Sequence, residues 1–476
     1  MANKSVLPIT KSDFLLYCEA PRHLWAKKNG KIEKSLSDFD QLLIDQGYQV
    51  ETLARYYLEQ DVVPQARGGT LQWQATYSDG PYEARVDALL YKPDSNAYDL
   101  YEVKSSTGVD KEDIYDVGFQ ALILNHHITV DHFYLLHPNK EYIRNGELEV
   151  SQLFIADEIT DKVNALNPEI AILRQAALQA AGTKKPDDLA HCLSPNECPC
   201  LGICHPDLPD FSIYDIPRLS RVKKQQLLDA GILFAKDIPA SIDLNEKQWL
   251  VVERAKTNTE HIDRISLKTE MEKIQFPVYF LDYETCISAI PLYQGYHPQQ
   301  QIVFQYSLHK LEKMDGELTH TEHLSLAPGD PCLPLLEQLR AEVGETGTII
   351  VWNKAFEMTM NREMALVQPQ YAAFLGQLND RIYDLGELVN RGYYLHPGFK
   401  GSWSIKNVLP VMKPELSYQE LAVNKGDQAS ITWWSICFGN LEQQEKLRLS
   451  EALRRYCELD TLAMVELFKV FRDFIK

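Results

Sequence analysis

A chain of 476 residues, 45% hydrophobic and 24% charged, has the material for two or three domains of an ordinary globular kind. Its net charge of −19 argues against broad adhesion to nucleic acid or anionic membrane. A nucleic-acid substrate stays open, because clustered metal-binding carboxylates contribute to that total. No apolar run reaches transmembrane length, and the opening "MANKSVLPIT" lacks the apolar core of a secretion signal, so a cytoplasmic protein with no membrane partner is expected.

In chain order, residues 1–60 read as helical, with apolar residues at three- and four-residue spacing. Short strands separated by turn residues follow from 71 to 104, then a helix over 111–126 and the strand "HFYLLHP". Helical patterning resumes over 157–182. A Pro- and Cys-rich stretch leads into a mostly helical segment, 212–270. After Gln275, strand and helix patterns alternate to the end of the chain, which suggests a second α/β domain.

The stretch "ARVDALLYKPDSNAYDLYEVKSS" sets Asp87 on one strand and Glu102 and Lys104 on the next. Residues two apart on a strand share a face. Carboxylates from neighbouring strands can hold a divalent ion, and an adjacent ammonium can position water and stabilise charge on a phosphate. A surface hairpin with an incidental ion pair has the same spacing. Gln120 lies on the following helix and Glu51 on an early one. With them the region resembles the RecB-type branch of the PD-(D/E)XK nucleases. The resemblance implies a restriction-endonuclease-like fold in which Asp87, Glu102 and Glu51 bind metal, Lys104 is catalytic and Gln120 supports the site. Where that family often carries a tyrosine four residues after the glutamine, this chain has Leu124.

Of nine cysteines, four fall between 192 and 204. In a cytosolic chain such a cluster points to metal rather than disulfides, and thiolates suit zinc or an iron–sulfur cluster. Some RecB-type nucleases carry a [4Fe–4S] cluster on one cysteine before the nuclease core and three after it. That resemblance implies Cys18, Cys192, Cys198 and Cys204 as ligands, with Cys200 either surplus or standing in for a neighbour, and zinc as the competing metal.

In "YFLDYETCIS", Asp282 and Glu284 share one face of a strand and are read as standing at its end. Like charges so close repel unless a cation lies between them. Glu357 follows on a helix after the strand "GTIIVW", and Tyr456 and Asp460 stand at i and i+4 of a last helix. The set resembles the DEDD exonucleases of the RNase H-like fold in their tyrosine (DEDDy) form. It implies two divalent ions, Mg²⁺ or Mn²⁺, held by Asp282, Glu284, Glu357 and Asp460, with Tyr456 orienting the attacking water. The second acid of that family is usually aspartate; here it is Glu357. Asp384 is a further acid nearby, and Ser404 and Lys406 are placed to touch substrate phosphate.

The whole chain resembles a bacterial family, largely of unknown function, that joins the two kinds of nuclease. The expected architecture is α/β throughout. It comprises a PD-(D/E)XK domain with iron–sulfur cysteines over 1–210, a helical linker over 211–272 and an RNase H-like 3′–5′ exonuclease domain over 273–476. The linker faintly resembles a helix-hairpin-helix. The expected function is metal-dependent hydrolysis of phosphodiester bonds in DNA, with RNA as the alternative substrate, in repair, recombination or anti-phage defence. A catalytically degenerate nucleic-acid-binding scaffold is the competing expectation.

Overall fold

The computed structural model describes residues 8–32, 37–327, 329–416, 418, 421–423 and 425–476. It is mixed α/β and divides into two compact units: residues 1–207 with 288–299, and residues 208–287 with 300–476. The helical segment 211–272 therefore groups with the second unit. Its apolar residues Ile213, Leu227, Val251 and Val252 form a small core there. Among the described residues no helix is long and apolar enough to cross a membrane.

The first unit opens with a two-residue strand, β1 (Ile9–Thr10), and two short helices, α1 (Lys11–Glu19) and α2 (Pro21–Lys28). Thr10 and Asp13 close a capping box at the start of α1, each satisfying an otherwise free backbone N–H. A longer helix, α3 (Asp38–Tyr57), follows. Then come strands β2 (Thr70–Asp79), β3 (Tyr82–Lys92) and β4 (Ala97–Val103), helix α4 (Lys111–Leu124), and strands β5 (Val130–Pro138) and β6 (Phe154–Glu158). The sheet runs β1-β3-β4-β5-β6, with β2 antiparallel on β3. Crossover through α4 makes β4 and β5 parallel.

The sequence reading extends helix back to residue 157, but β6 occupies Phe154–Glu158 and the helix Thr160–Gly182 starts after it. The reason is non-local: "FIADE" pairs antiparallel with β5, a partner that no short window contains.

α4 lies close against the helix Thr160–Gly182 because Gly118 has no side chain. A Cβ there would come within 2.3 Å of Ile170 Cδ1. Gly118→Leu is expected to cost about 1–3 kcal/mol by overpacking, read as a lower thermal unfolding temperature.

In the second unit a five-stranded sheet is built around a central strand. Strands β8 (Val278–Ile287), β9 (Gln301–Leu311) and β10 (Leu318–Leu324) form an antiparallel meander, and β11 (Thr348–Val351) and β12 (Ile382–Asp384) extend it in parallel on the other side of β8. Two residues of β7 (His261–Ile262) pair with β13 (Tyr394–Leu395). Alternation along β8 divides its side chains. Tyr279, Leu281 and Tyr283 join a core with the helices Cys332–Glu342 and Lys354–Val367, whereas Phe280 meets Phe468 of the long last helix, Gln443–Phe474. Asp282 and Glu284 share the phase of Phe280, so they are turned toward that helix.

Candidate metal and active sites

In the first unit, antiparallel β3 and β4 bring Asp87 beside Glu102: the backbone N–H of Val103 donates to Asp87 Oδ2 at 3.0 Å. Glu102 is 2% exposed, accepts from Lys11 (2.6 Å) and Gln120 Nε2 (2.8 Å), and forms an ion pair with Lys104 at 3.2 Å. Lys104 also reaches Asp116 Oδ2 at 2.5 Å, and Gln120 donates to Asp116 Oδ1 at 3.0 Å. Asp87, Glu102, Lys104 and Gln120 thus come together, and Lys11 and Asp116 join them unannounced by sequence. Asp116 had left a signal, since it stands one helical turn before Gln120 on the same face of α4. Lys11, a lysine in the first turn of a helix, had left none.

Glu51 sits one residue removed. Its Oε1 takes hydrogen bonds from Arg55 (2.8 Å) and from Gln74 Nε2 (3.0 Å), and the same Gln74 nitrogen lies 3.4 Å from Asp87 Oδ1. Gln74 has φ +52 in the middle of β2, opposite Asp87, a conformation an L-residue adopts only under local compulsion. Its amide reaches both carboxylates.

Two ammoniums set the electrostatics here. Burial opposes ionisation of Glu102, but Lys11 and Lys104 outweigh it and hold the carboxyl down at about 2. Burial and the Glu102 charge push Asp87 and Asp116 up to about 6. Burial also works against the charge on Lys104, yet Glu102 and Asp116 keep its pKa above the ordinary lysine range.

The second unit has a different balance. Asp282 and Glu284 lie within β8 rather than at its end, since the strand runs on to Ile287 past a register shift after Glu284. The continued pairing with β9, read neither from spacing nor from the polar "ETC", carries it there. Asp460 is buried on the last helix and accepts from Tyr418 at 2.7 Å. Burial, then Asp460, Glu284 and Glu357, push the Asp282 carboxyl well above its ordinary range. Glu284 is raised by burial and Asp460, and Asp460 is raised by burial to about 6. Lys406 is the ammonium that pulls against all three shifts.

Glu357, in the first turn of its helix, is 2% exposed, and burial with the Asp384 charge lifts it to about 8. Its Oε2 and Asp384 Oδ1 are buried oxygens without a hydrogen-bond partner among the described residues. The other oxygen of Asp384 accepts from the Lys354 N–H at 2.8 Å. Lys406 donates to the Tyr456 hydroxyl at 2.8 Å. Ser404 is exposed at the start of the helix Ile405–Met412, and its side chain makes no cap hydrogen bond. Cys457, absent from the sequence-based set, brings its thiol to the Asp282–Glu284 pair, all within 4.8 Å of one another.

Residues 279–404 match a family model described as a domain of unknown function, DUF2779. The match takes in Asp282, Glu284, Glu357 and Asp384 and ends before Lys406, Tyr456 and Asp460. The chain is 27% identical over 226 residues to "Uncharacterized protein MG366" of Mycoplasma genitalium, covering 44% of this chain and 34% of the relative. A homologue from Mycoplasma pneumoniae is 26% identical with the same coverage. "Uncharacterized protein UU173" of Ureaplasma parvum is 31% identical over 132 residues, 24% of this chain and 19% of that protein. The matched region thus spans about a third or less of these curated relatives.

The cysteine cluster departs from expectation at one position. Cys192, Cys198 and Cys204 gather with His23, their donor atoms all within 4.8 Å of one another. Cys18 is not with them. It packs in the core of Ile9, Phe14 and Phe119, where its charged neighbours are Glu112, Glu169 and Lys111. The cause is helical phase. The chain leaves the helix at Ala20, whose φ and ψ are extended, and α2 restarts in a new direction that turns His23 toward the cysteines. Arg22 ties the two ends of the unit together, donating to the carbonyls of Leu189 and Ile203 at 2.9 Å each. Cys200 Sγ lies 3.6 Å from Cys204 Sγ.

Proposed function

We propose that this protein is a nuclease that hydrolyses phosphodiester bonds of DNA, or of RNA, using divalent metal ions at two separate sites. The observation that carries the reading is the charge imbalance in the second unit: Asp460, Glu284 and Glu357 all act on Asp282, Asp460 acts on Glu284 as well, and Lys406 is the ammonium that opposes the shifts of Asp282, Glu284 and Asp460. Such repulsion is maintained at a cost in stability unless the residues serve to bind cations. The partnerless buried oxygens of Glu357 and Asp384 fit the same role. Further support comes from the strand order, an antiparallel meander flanked by two parallel strands with the acidic pair on the central strand, which accords with an RNase H-like fold. The β3–β4–α4–β5 core with its Asp, Glu-x-Lys and Gln accords likewise with a PD-(D/E)XK fold.

Bound Mg²⁺ or Mn²⁺ supplies Lewis acidity and a nucleophilic hydroxide at neutral pH. Asp282, Glu284, Asp460 and Glu357 would hold it in the second unit, and Asp87 with Glu102 in the first. Tyr456 keeps its proton, because burial and the surrounding carboxylates raise its pKa, so its hydroxyl can orient a water. Lys406 donates a hydrogen bond to that hydroxyl and holds it in place. In the first unit Lys104 stays charged and is suited to electrostatic stabilisation of a phosphorane-like transition state rather than to proton abstraction.

The test is cleavage of end-labelled single- and double-stranded DNA and RNA with Mg²⁺ or Mn²⁺, comparing wild type with Lys104→Ala and Asp460→Ala. Loss of one product pattern in each variant is expected. No cleavage of any substrate by wild type would remove the reading. Lys406→Met is expected to shift the acidic limb of the second site's pH–rate profile upward, because removing the ammonium raises the carboxyl pKa values further.

The alternative, a binding scaffold without catalysis, draws on the first unit, where Glu102 is already paired by two ammoniums. It predicts that Asp87→Ala and Asp282→Ala leave cellular function intact.

A further inference from the structure

The cluster expected from resemblance is a [4Fe–4S] centre on four cysteines, and the donors present do not fit it. A cubane binds one thiolate to each of four irons, which holds the sulfurs apart by the width of the cluster itself. Here three sulfurs and one imidazole nitrogen lie within 4.8 Å of one another, and Cys198 Sγ stands 3.5 Å from His23 Nε2. Around a single tetrahedral zinc, bonds of about 2.3 Å to sulfur and 2.0–2.1 Å to nitrogen place neighbouring donors roughly 3.5–3.8 Å apart. Cys₃His is also one of the recurrent donor sets of structural zinc sites.

We propose that the first unit carries one structural zinc ion, bound by His23, Cys192, Cys198 and Cys204. Cys18 takes no part. The four donors saturate a tetrahedral ion, so no position is left open for a water or a substrate. Its work is mechanical: it joins α2, near the start of the unit, to the cysteine loops that close it. Arg22 already makes part of this junction through the carbonyls of Leu189 and Ile203. Supporting groups are in place around the donors. Cys192 Sγ lies 3.1 Å from His205 Nε2, and His23 Nδ1 lies 3.1 Å from Glu19 Oε2. The Glu19 contact fixes the tautomer that leaves Nε2 free to face the cysteines, as carboxylate partners of metal-bound histidines commonly do.

The test uses the full chain, purified without oxygen and dialysed to remove loosely held ions. Elemental analysis is expected to give about one zinc per chain and no stoichiometric iron, in a colourless protein. Replacing the metal with Co²⁺ is expected to produce the intense visible bands of a tetrahedral thiolate site. His23→Ala is expected to lose most of the bound metal. His23→Cys should keep it while moving the cobalt spectrum toward that of a four-thiolate site, which guards against a variant that merely misfolds. Cys18→Ser should leave metal content and spectrum unchanged. Three outcomes would overturn the assignment: iron and sulfide at about four per chain, a cobalt spectrum identical in wild type and His23→Cys, or metal lost on Cys18→Ser. None of these readouts depends on cleavage, so the zinc site and the nuclease reading stand or fall separately.

Discussion

Asp282→Asn, placed in a Lys104→Ala background to silence the first site, is expected to lower cleavage of an end-labelled strand on the order of 10³-fold. Charge stabilisation by a bound metal is worth several kcal/mol, and about 1.4 kcal/mol is a factor of ten. The same substitution is expected to stabilise the metal-free protein at pH 8. Burial, Asp460, Glu284 and Glu357 all raise the carboxyl of Asp282, so carrying its charge in the folded state is unfavourable. An amide of the same shape removes that cost. Near pH 4 the carboxyl is neutral in the folded state and the gain should vanish. A residue serving only stability would behave oppositely, with activity retained and stability lost on replacement. Turnover assays with thermal unfolding at the two pH values separate these cases. Unchanged cleavage in the double variant would remove Asp282 from the chemistry.

Divalent metal should stabilise the chain strongly at pH 8 and weakly below pH 6. Folded Glu357 titrates at about 8 against an ordinary 4.5, and Asp460 at about 6 against 3.8. Asp87 and Asp116 are raised to about 6 in the same sense. The folded metal-free chain therefore keeps protons that the unfolded chain has released, and its stability falls as pH rises from about 4 to 8. Glu102 works the other way, but its contribution is complete above pH 4.5 and is lost only as pH falls toward 2, outside this window. His309, which burial lowers to about 3, also works the other way below about pH 6.5, and the four raised carboxyls together outweigh it. A cation that binds the ionised carboxylates competes with those protons. At about a hundred times its Kd it adds ~2.7 kcal/mol, roughly 5–10 °C in unfolding temperature for a domain of this size. Calorimetry with and without Mn²⁺ across pH 5.5–8.5 measures this directly, and Glu357→Gln should remove the upper part of the pH dependence. A metal-free protein that grows more stable between pH 5 and 8 would contradict the arrangement.

The order of chemistry along the chain was legible before any fold was known. Two-residue spacing aligned Asp282 with Glu284 and Glu102 with Lys104, because a strand repeats every second residue whatever it packs against. The i, i+4 relation of Tyr456 and Asp460 was legible for the equivalent helical reason. So were most strands of the first unit, whose alternating patterns and turn residues are local properties.

What only the tertiary structure decided were the partners supplied by distant parts of the chain. Lys11 reaches Glu102 across 91 positions of sequence. β6 is a strand because β5 lies beside it. Gln74 adopts a left-handed backbone opposite Asp87. Most telling is the exchange of Cys18 for His23, decided by one break in helical phase at Ala20. Residue types and short spacings follow from covalent geometry, which the sequence contains in full. The direction in which a helix restarts depends on packing summed over the whole unit, and no local pattern holds that sum.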